Sequence, residues 1–164
     1  MMRNWKLHKG FSLVEILVYM GLMSIFLLVL LSIFTDTLNT KLASESTSAL
    51  DQDSRYILSR LTYDINNADS IVAPATGSSG TTLSIVKDGV SMTYSSSSGN
   101  FVLTSAGTTM NLNSLDTSLD NLNFQNVEAS GAKSMVQVSY TLRSKIIVSG
   151  ETATQSISTT IGTR

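Results

Sequence analysis

One carboxylate lies within an apolar segment near the N-terminus. Glu15 is the only charged residue among residues 11–35. A carboxylate in hydrocarbon is costly unless a cation neutralises it, and the basic side chain nearest in the sequence is Lys9. A proteolytic cut between Gly10 and Phe11 would create a second cation, a new amino group four residues before Glu15. In an apolar bundle of staggered chains, the amine of one chain could then neutralise the carboxylate of its neighbour.

The residues that most often perform catalysis are scarce. The chain has no cysteine and a single histidine, His8, which excludes disulfides, thiolate metal sites and cysteine nucleophiles. It has no phosphate-binding glycine loop, no dinucleotide fingerprint and no zinc-protease motif, and residues 77–80 lack the spacing of a nucleophile elbow. The sequence therefore predicts a protein that is not an enzyme. A membrane-anchored enzyme that uses paired carboxylates alone, such as a glycosidase, stays open as an alternative.

We predict no cofactor, with calcium in the C-terminal region as the one alternative. Asp116 and Asp120, together with Asn113 and Asn121, offer the oxygen ligands that calcium prefers, but their spacing matches no known calcium loop. Residues 51–53 begin like a calcium loop, yet the glycine and the distal glutamate of that loop are missing. We therefore expect residues 51–53 to form a solvated helix face.

The composition fits one modest domain plus a helix and argues against nucleic-acid binding. The 164 residues include 11 basic and 12 acidic side chains, and charged residues make up 14% of the chain. Lys and Arg cluster only in the first ten residues, whereas a nucleic-acid-binding domain needs a basic patch. An apolar fraction of 42% also excludes a disordered tail.

Residues 16–35 form an uncharged run of 20 residues, the length of a helix that spans a bilayer. Residues 1–10 contain three Lys or Arg side chains and no acid, so the positive-inside rule predicts a cytoplasmic N-terminus and a C-terminal part outside. A cleaved secretory signal would have a shorter apolar run and a small-residue cleavage site, for which Ala43 is only a weak match. A simple signal anchor is the other alternative.

The segment KGFSLVE, residues 9–15, resembles the class III signal of type IV pilin-like proteins. The resemblance implies that a membrane aspartic peptidase, the prepilin peptidase, cleaves after Gly10 on the cytoplasmic side. It also implies that the same enzyme methylates the new N-terminus at Phe11. Glu15 then takes the place of the acid that aids methylation and subunit insertion. The apolar helix stays in the mature protein as the core of assembly.

The resemblance also implies a location and a set of partners. The chain would cross the cytoplasmic (inner) membrane once and later enter a pilus or pseudopilus. Its partners would be the lipid bilayer, the prepilin peptidase, an inner-membrane assembly platform, and other pilin or pseudopilin subunits that pack on the N-terminal helix. The alternative is a signal-anchored extracytoplasmic binding module that does not polymerise, and an unprocessed N-terminus would favour it.

The helix continues beyond the membrane run. Apolar residues recur at steps of 4, 7 or 8, which places them on one stripe of a helix from about residue 12 to about residue 67: Leu38, Leu42, Leu50, Ile57, Leu61 and Ile65. Residues 44–48 are rich in Ser and Thr, which lowers their helix propensity. A break in the helix at these residues is therefore an alternative to one continuous helix. We therefore divide the chain into four segments: a removed leader (1–10), a transmembrane assembly helix (11–35), an amphipathic helix (36–68) and a β-rich head (69–164).

Two features favour a minor subunit over a major pilin. Residues 11–73 contain no proline, whereas many major pilins carry one in this helix. Residues 55–68 also resemble the Arg-rich amphipathic stretch of J-type minor pseudopilins of type II secretion and of W-type minor pilins. An ordinary amphipathic helix end explains residues 55–68 equally well.

The head has the alternation and turn residues of an antiparallel sheet. Residues 81–87 and 90–95 flank Asp88-Gly89, a strong hairpin signal, and residues 101–104 and 108–113 flank a turn that contains Gly107. Further strands are predicted at 122–128, 134–149 and 151–161, and loops at 76–81 and 95–100. A helix on the buried face of one such sheet gives an α+β fold with pilin-like architecture.

Overall fold

A computed structural model describes residues 12–127 and 134–164. It begins with one helix, α1, over Leu13–Asn66, which confirms the predicted helix to within a residue at each end. No break occurs at residues 44–48. The Thr47 hydroxyl donates a hydrogen bond to the Ala43 carbonyl at 3.0 Å, so it is satisfied inside the helix and does not compete with it.

The chain divides into two compact units, Met1–Thr40 and Lys41–Arg164. Within the second unit, one face of α1 is buried, and its buried residues are Ser46, Leu50, Asp53, Ser54, Ile57, Leu61, Asp64 and Ile65. From Leu50 onward the residues of the predicted apolar stripe are buried. Leu38 and Leu42 lie on the same helix but are 44% and 37% exposed. Helical periodicity shows which residues share a face, but it does not show how far along that face a packing partner extends.

Nine strands follow the helix in the described part of the chain: β1 (Ser70–Ala73), β2 (Ser79–Gly80), β3 (Leu83–Lys87), β4 (Val90–Ser97), β5 (Asn100–Ser105), β6 (Thr108–Asn111), β7 (Thr117–Val127), β8 (Met135–Val148) and β9 (Glu151–Gly162). They form two antiparallel sheets. The first has the order β1-β3-β4-β5-β6 and the second the order β2-β7-β8-β9. The α+β class is confirmed, but the prediction of a single sheet is wrong.

Among residues 12–127 and 134–164, four tight turns join consecutive strands, and each is an X-Gly pair. In Asp88-Gly89, Ser98-Gly99, Ala106-Gly107 and Ser149-Gly150 both residues have positive φ, between 50° and 86°. Positive φ at both central residues is the geometry of a type I′ hairpin turn, which glycine adopts without strain. The predicted loop at residues 95–100 is thus wrong, because all but the two turn residues belong to β4 and β5. The loop predicted at 76–81 contains the short strand β2.

The core of the head lies where the helix and both sheets meet. Phe101 of β5 is fully buried, and its ring centroid lies 6.2 Å from that of Tyr94, 6.3 Å from that of Phe124 and 5.8 Å from that of Tyr140. Tyr94 belongs to the first sheet, whereas Phe124 and Tyr140 belong to the second. The aromatic cluster therefore ties the two sheets into one core.

Candidate assembly site

Glu15 lies in the first turn of α1. The backbone N–H groups of Glu15 and Ile16 donate hydrogen bonds to the Ser12 carbonyl at 3.0 and 3.1 Å, so the helix begins directly after Ser12. Ser12 and Glu15 have the Ser-x-x-Glu spacing that is typical of a helix N-terminus. A negative charge is favourable in this turn, because the exposed N–H groups carry a partial positive charge.

The Glu15 side chain is exposed and has one polar neighbour among the residues that the structure describes. The Tyr19 hydroxyl, one helical turn later, donates a hydrogen bond to Glu15 Oε1 at 3.3 Å. Within residues 12–127 and 134–164, no Lys or Arg forms an ion pair with Glu15. Tyr19 was not among the residues predicted from the sequence, although its i, i+4 spacing from Glu15 on a helix indicates the contact.

The predicted cleavage site lies outside the described residues. Gly10 and Phe11, and with them the predicted cut and the methylated terminus, precede residue 12. The processing of Gly10 and Phe11 and the role of Glu15 therefore stay predictions.

The first turns of α1 lead into a long apolar surface. The helix is long and apolar enough to cross a membrane, and none of its most apolar window is buried. The large apolar side chains between Leu13 and Phe34 are 48% or more exposed. Exposing so much apolar surface to water is unfavourable. The surface is therefore stable in a bilayer or against other apolar helices. This arrangement can serve as a membrane anchor or as a helix-packing surface, and both fit a single-pass membrane protein.

Two of the four residues considered for calcium, Asn113 and Asp120, have other partners in the structure. Asn113 Oδ1 accepts a hydrogen bond from the Phe101 N–H at 2.8 Å, and Asp120 pairs with Arg143 at 2.6 Å. In the described part of the chain, no three or more His, Cys, Asp or Glu residues lie together as a metal site would need. A calcium site stays a prediction that rests on sequence alone.

Asp53 anchors α1 to the loop before β7. Its carboxylate oxygen Oδ2 accepts hydrogen bonds from the Ser114 N–H and hydroxyl, both at 2.8 Å, and from the Thr117 hydroxyl at 2.5 Å. Asp53 is buried, so the prediction of a solvated face at residues 51–53 is wrong for this residue. Asp51 is exposed and accepts a hydrogen bond from Gln155 at 3.0 Å.

Asp64 anchors the same helix face to the first sheet. It is fully buried and accepts hydrogen bonds from the Tyr94 hydroxyl at 2.5 Å, from Arg60 Nε at 2.6 Å and from Lys87 Nζ at 3.3 Å. Two cations and a phenol thus compensate the loss of hydration of this carboxylate. The sequence did not reveal the contact, because Lys87 and Tyr94 are 23 and 30 residues away along the chain.

This cluster shifts the pKa of two side chains, Tyr94 and Arg60. Burial raises the pKa of the Tyr94 phenol well above its usual range, and the hydrogen bond to Asp64 raises it further. Burial lowers the pKa of the Arg60 guanidinium, but the Asp64 charge and the hydrogen bonds outweigh this effect, so that pKa is raised. Tyr94 therefore keeps its proton and Arg60 its charge at neutral pH.

A comparison with protein families matches residues 5–31 to the prokaryotic N-terminal methylation motif. The matched segment includes Gly10, Phe11 and Glu15 and extends into the apolar part of α1. The whole chain has no match among curated proteins and none among solved structures. The match confirms the resemblance of residues 9–15, and this chain therefore carries the N-terminal methylation motif of type IV pilin-like proteins.

Proposed function

We propose that the chain is a structural subunit, a minor pilin or pseudopilin, of a type IV pilus-like or type II secretion filament. The observation that carries the proposal is the methylation motif at residues 5–31, which lies at the start of an apolar helix with an uncovered surface. The motif points to a structural subunit rather than an enzyme. The head then serves to hold α1 firmly and to present a surface, not to perform chemistry.

The prepilin peptidase would cut between Gly10 and Phe11 and methylate the amine of Phe11. The motif match supports this step, since it covers both residues. Glu15 would then neutralise the amine of a neighbouring subunit inside the helix bundle. Its place in the first helical turn and within the matched motif supports that role.

The subunit would first lie in the cytoplasmic membrane with its N-terminus inside and its head outside. The basic residues 1–10 support this orientation, because positive residues stay on the cytoplasmic side. From there an inner-membrane assembly platform would move it into the filament. In the filament its partners are other pilin or pseudopilin subunits, which contact the apolar part of α1.

Within this class we propose a minor subunit. Two features support that choice: α1 runs unbroken over Leu13–Asn66 without a proline, and residues 55–68 resemble minor subunits in sequence. In that stretch Arg60 and Asp64 form an ion pair, and Asp64 and Ala68 are buried. The resemblance therefore falls on residues that join the helix to the head.

The proposal predicts that Gly10→Leu blocks processing, because a bulky side chain before the scissile bond does not fit the peptidase. Gly21→Leu is the matched control, since a Cβ at Gly21 meets no atom within 4 Å. Coexpression with a prepilin peptidase, followed by gel mobility and mass analysis, should show Gly21→Leu processed and Gly10→Leu retained with its leader. Efficient cleavage of Gly10→Leu at the same bond would contradict the proposal.

Glu15→Leu tests the second part of the proposal. The variant should enter the membrane normally, because leucine favours insertion, but its methylation or its incorporation into filaments should fall. Tyr19→Phe removes the only polar neighbour of Glu15 in the described chain and keeps the carboxylate, so it serves as the control. Wild-type methylation and incorporation of Glu15→Leu would refute the role of Glu15.

A further inference from the structure

The strand β9 lies at one edge of the second sheet, whose order is β2-β7-β8-β9. It is the longest edge strand in the described part of the chain, with 12 residues against four in β1, four in β6 and two in β2. Its pairing with β8 is regular from Thr154 to Gly162, and residues 152–163 include no charge and no proline. Proteins usually protect a long edge with charges, prolines or bulges, because an open edge can pair with a further strand. The edge formed by β9 lacks this protection.

Every second residue of β9 directs its backbone groups away from β8. The Thr163 N–H donates a hydrogen bond to the Ser134 carbonyl at 3.0 Å, and bonded pairs alternate along antiparallel strands. The odd-numbered residues from 155 to 163 therefore bond to β8. The N–H and C=O groups of the even-numbered residues 154–160 point outward, and they form a row about 20 Å long.

The side chains of β9 that face the core are only partly covered. Ala153 and Ile157 are partly buried and pack against the core of the head. Gln155, between them, donates a hydrogen bond to Asp51 of α1, while its Oε1 is buried and has no hydrogen-bond partner within residues 12–127 and 134–164. A strand added beside β9 would cover the apolar side chains and could supply the missing donor to Gln155.

A cavity lies at the start of β9, between α1 and the turn that joins β8 to β9. Its lining includes Ser46, Val148, Glu151 and Ala153. Its volume is about 280 Å³, which is below the about 300–1,000 Å³ of small-molecule sites and leaves room for one long side chain. Ser46 is 1% exposed, and its hydroxyl has no hydrogen-bond partner in the described part of the chain. Such a hydroxyl lowers the stability of the free head, which favours a ligand that binds it.

We propose that β9 binds an extended segment of another protein as an added antiparallel strand, and that a lysine of this segment enters the cavity. Directly opposite residues of paired strands point to the same face, so the residue opposite Ala153 points toward α1. The apolar stem of the lysine packs on Ala153 and Val148. Its ammonium group donates hydrogen bonds to the Ser46 hydroxyl and to the Glu151 carboxylate.

The direction of the added strand sets the sequence pattern of the partner. The residues opposite Ile157, Gln155 and Ala153 follow in this order at every second position, so the pattern is apolar-x-donor-x-Lys. A second copy of this chain does not supply it: in the described strands, lysines occur in β3 and β8, which already have a neighbouring strand on each side. Backbone hydrogen bonds then give affinity, and the cavity gives specificity.

The first test measures binding of the acetylated peptide Thr-Thr-Val-Thr-Ser-Thr-Lys, which carries this pattern, to the full chain in detergent. Amide hydrogen exchange followed by NMR should show slower exchange at Ser156 and Ser158. Exchange at Ile157 should not change, because its N–H already bonds to β8. The same peptide with leucine in place of lysine should bind about tenfold more weakly. Unchanged exchange at Ser156 and Ser158 with millimolar peptide, or equal affinity for both peptides, would overturn the proposal.

Variants of the chain separate binding from folding. Ser158→Pro removes an N–H that points away from β8, so the sheet should stay paired while peptide binding is lost. Ser46→Ala and Glu151→Gln should each weaken peptide binding by about tenfold, since each removes a partner of the ammonium group. Ser46→Ala should do so while the head becomes more stable, which misfolding cannot explain. Asp116→Asn changes an exposed acid outside the cavity and should bind like the wild type. Wild-type affinity of Ser46→Ala and Glu151→Gln would overturn the proposal.

Discussion

Asp53 and Asp64 hold α1 against the head with different chemistry. The donors to Asp53 are neutral, an N–H and two hydroxyls, whereas those to Asp64 include two cations. Buried carboxylates are tolerated in proteins only with such partners. Both residues are polar members of a mostly apolar face, so apolar periodicity does not mark them as buried.

Asp64→Asn tests how much the Asp64 ion pairs contribute to the free energy of unfolding. The amide keeps the shape but removes the charge that Arg60 and Lys87 neutralise, so the free energy of unfolding should fall by about 3 kcal/mol. Denaturant unfolding of the detergent-solubilised chain measures it. Asp120→Asn is the control, because its ion pair with Arg143 is more exposed and should cost about 1 kcal/mol or less. If both variants lost the same free energy of unfolding, the prediction that the buried Asp64 contributes more than the exposed Asp120 would be wrong.

At the scale of elements, local signals were sufficient for the helix and for most strands. The apolar period of α1 and the Asp88-Gly89 turn involve residues close in sequence, and the structure has both where they were predicted. Ser98-Gly99 forms the same kind of turn, but the serines around it concealed the alternation of β4. The division into two sheets was not predictable, because it depends on which distant strands pair.

Ser46 offers a prediction about α1. Its hydroxyl is buried and has no hydrogen-bond partner within the described residues, so Ser46→Ala removes an uncompensated polar group. We expect a gain of about 1 kcal/mol or more in the free energy of unfolding. Ser48→Ala changes the same residue type on the exposed face and should gain about 0.5 kcal/mol from helix propensity alone. A loss of stability for Ser46→Ala would contradict the prediction.

At the scale of the whole molecule, the motif at residues 10–15 was predictable from the sequence, whereas the aromatic core of the head was not. The segment from Gly10 to Glu15 is contiguous, so its pattern is visible without the fold, and the family match covers it. The core around Phe101 instead unites β4, β5, β7 and β8, which are brought together only by folding.

Two buried phenols predict how the stability of the head depends on pH. Burial raises the pKa of Tyr94 and of Tyr140, whose hydroxyl donates to the Ser54 carbonyl at 3.2 Å. In the unfolded chain these phenols ionise near pH 10, so the stability they contribute is complete below that pH and is lost as the pH rises above it. Denaturant unfolding from pH 7 to pH 12 should show this fall, with a shallower slope for Tyr94→Phe. The exposed control Tyr56→Phe should keep the wild-type slope, and an identical slope for Tyr94→Phe would contradict the assignment.

The central claim is that the chain is cut and methylated to expose an amine for Glu15 of a neighbour. Mass spectrometry of the wild-type chain, isolated from cells that contain a prepilin peptidase, tests it most directly. We expect a polypeptide that begins at Phe11 and carries one methyl group on its α-amine. A mature polypeptide that still begins at Met1 or Met2 would contradict the claim and leave a tethered head without a filament.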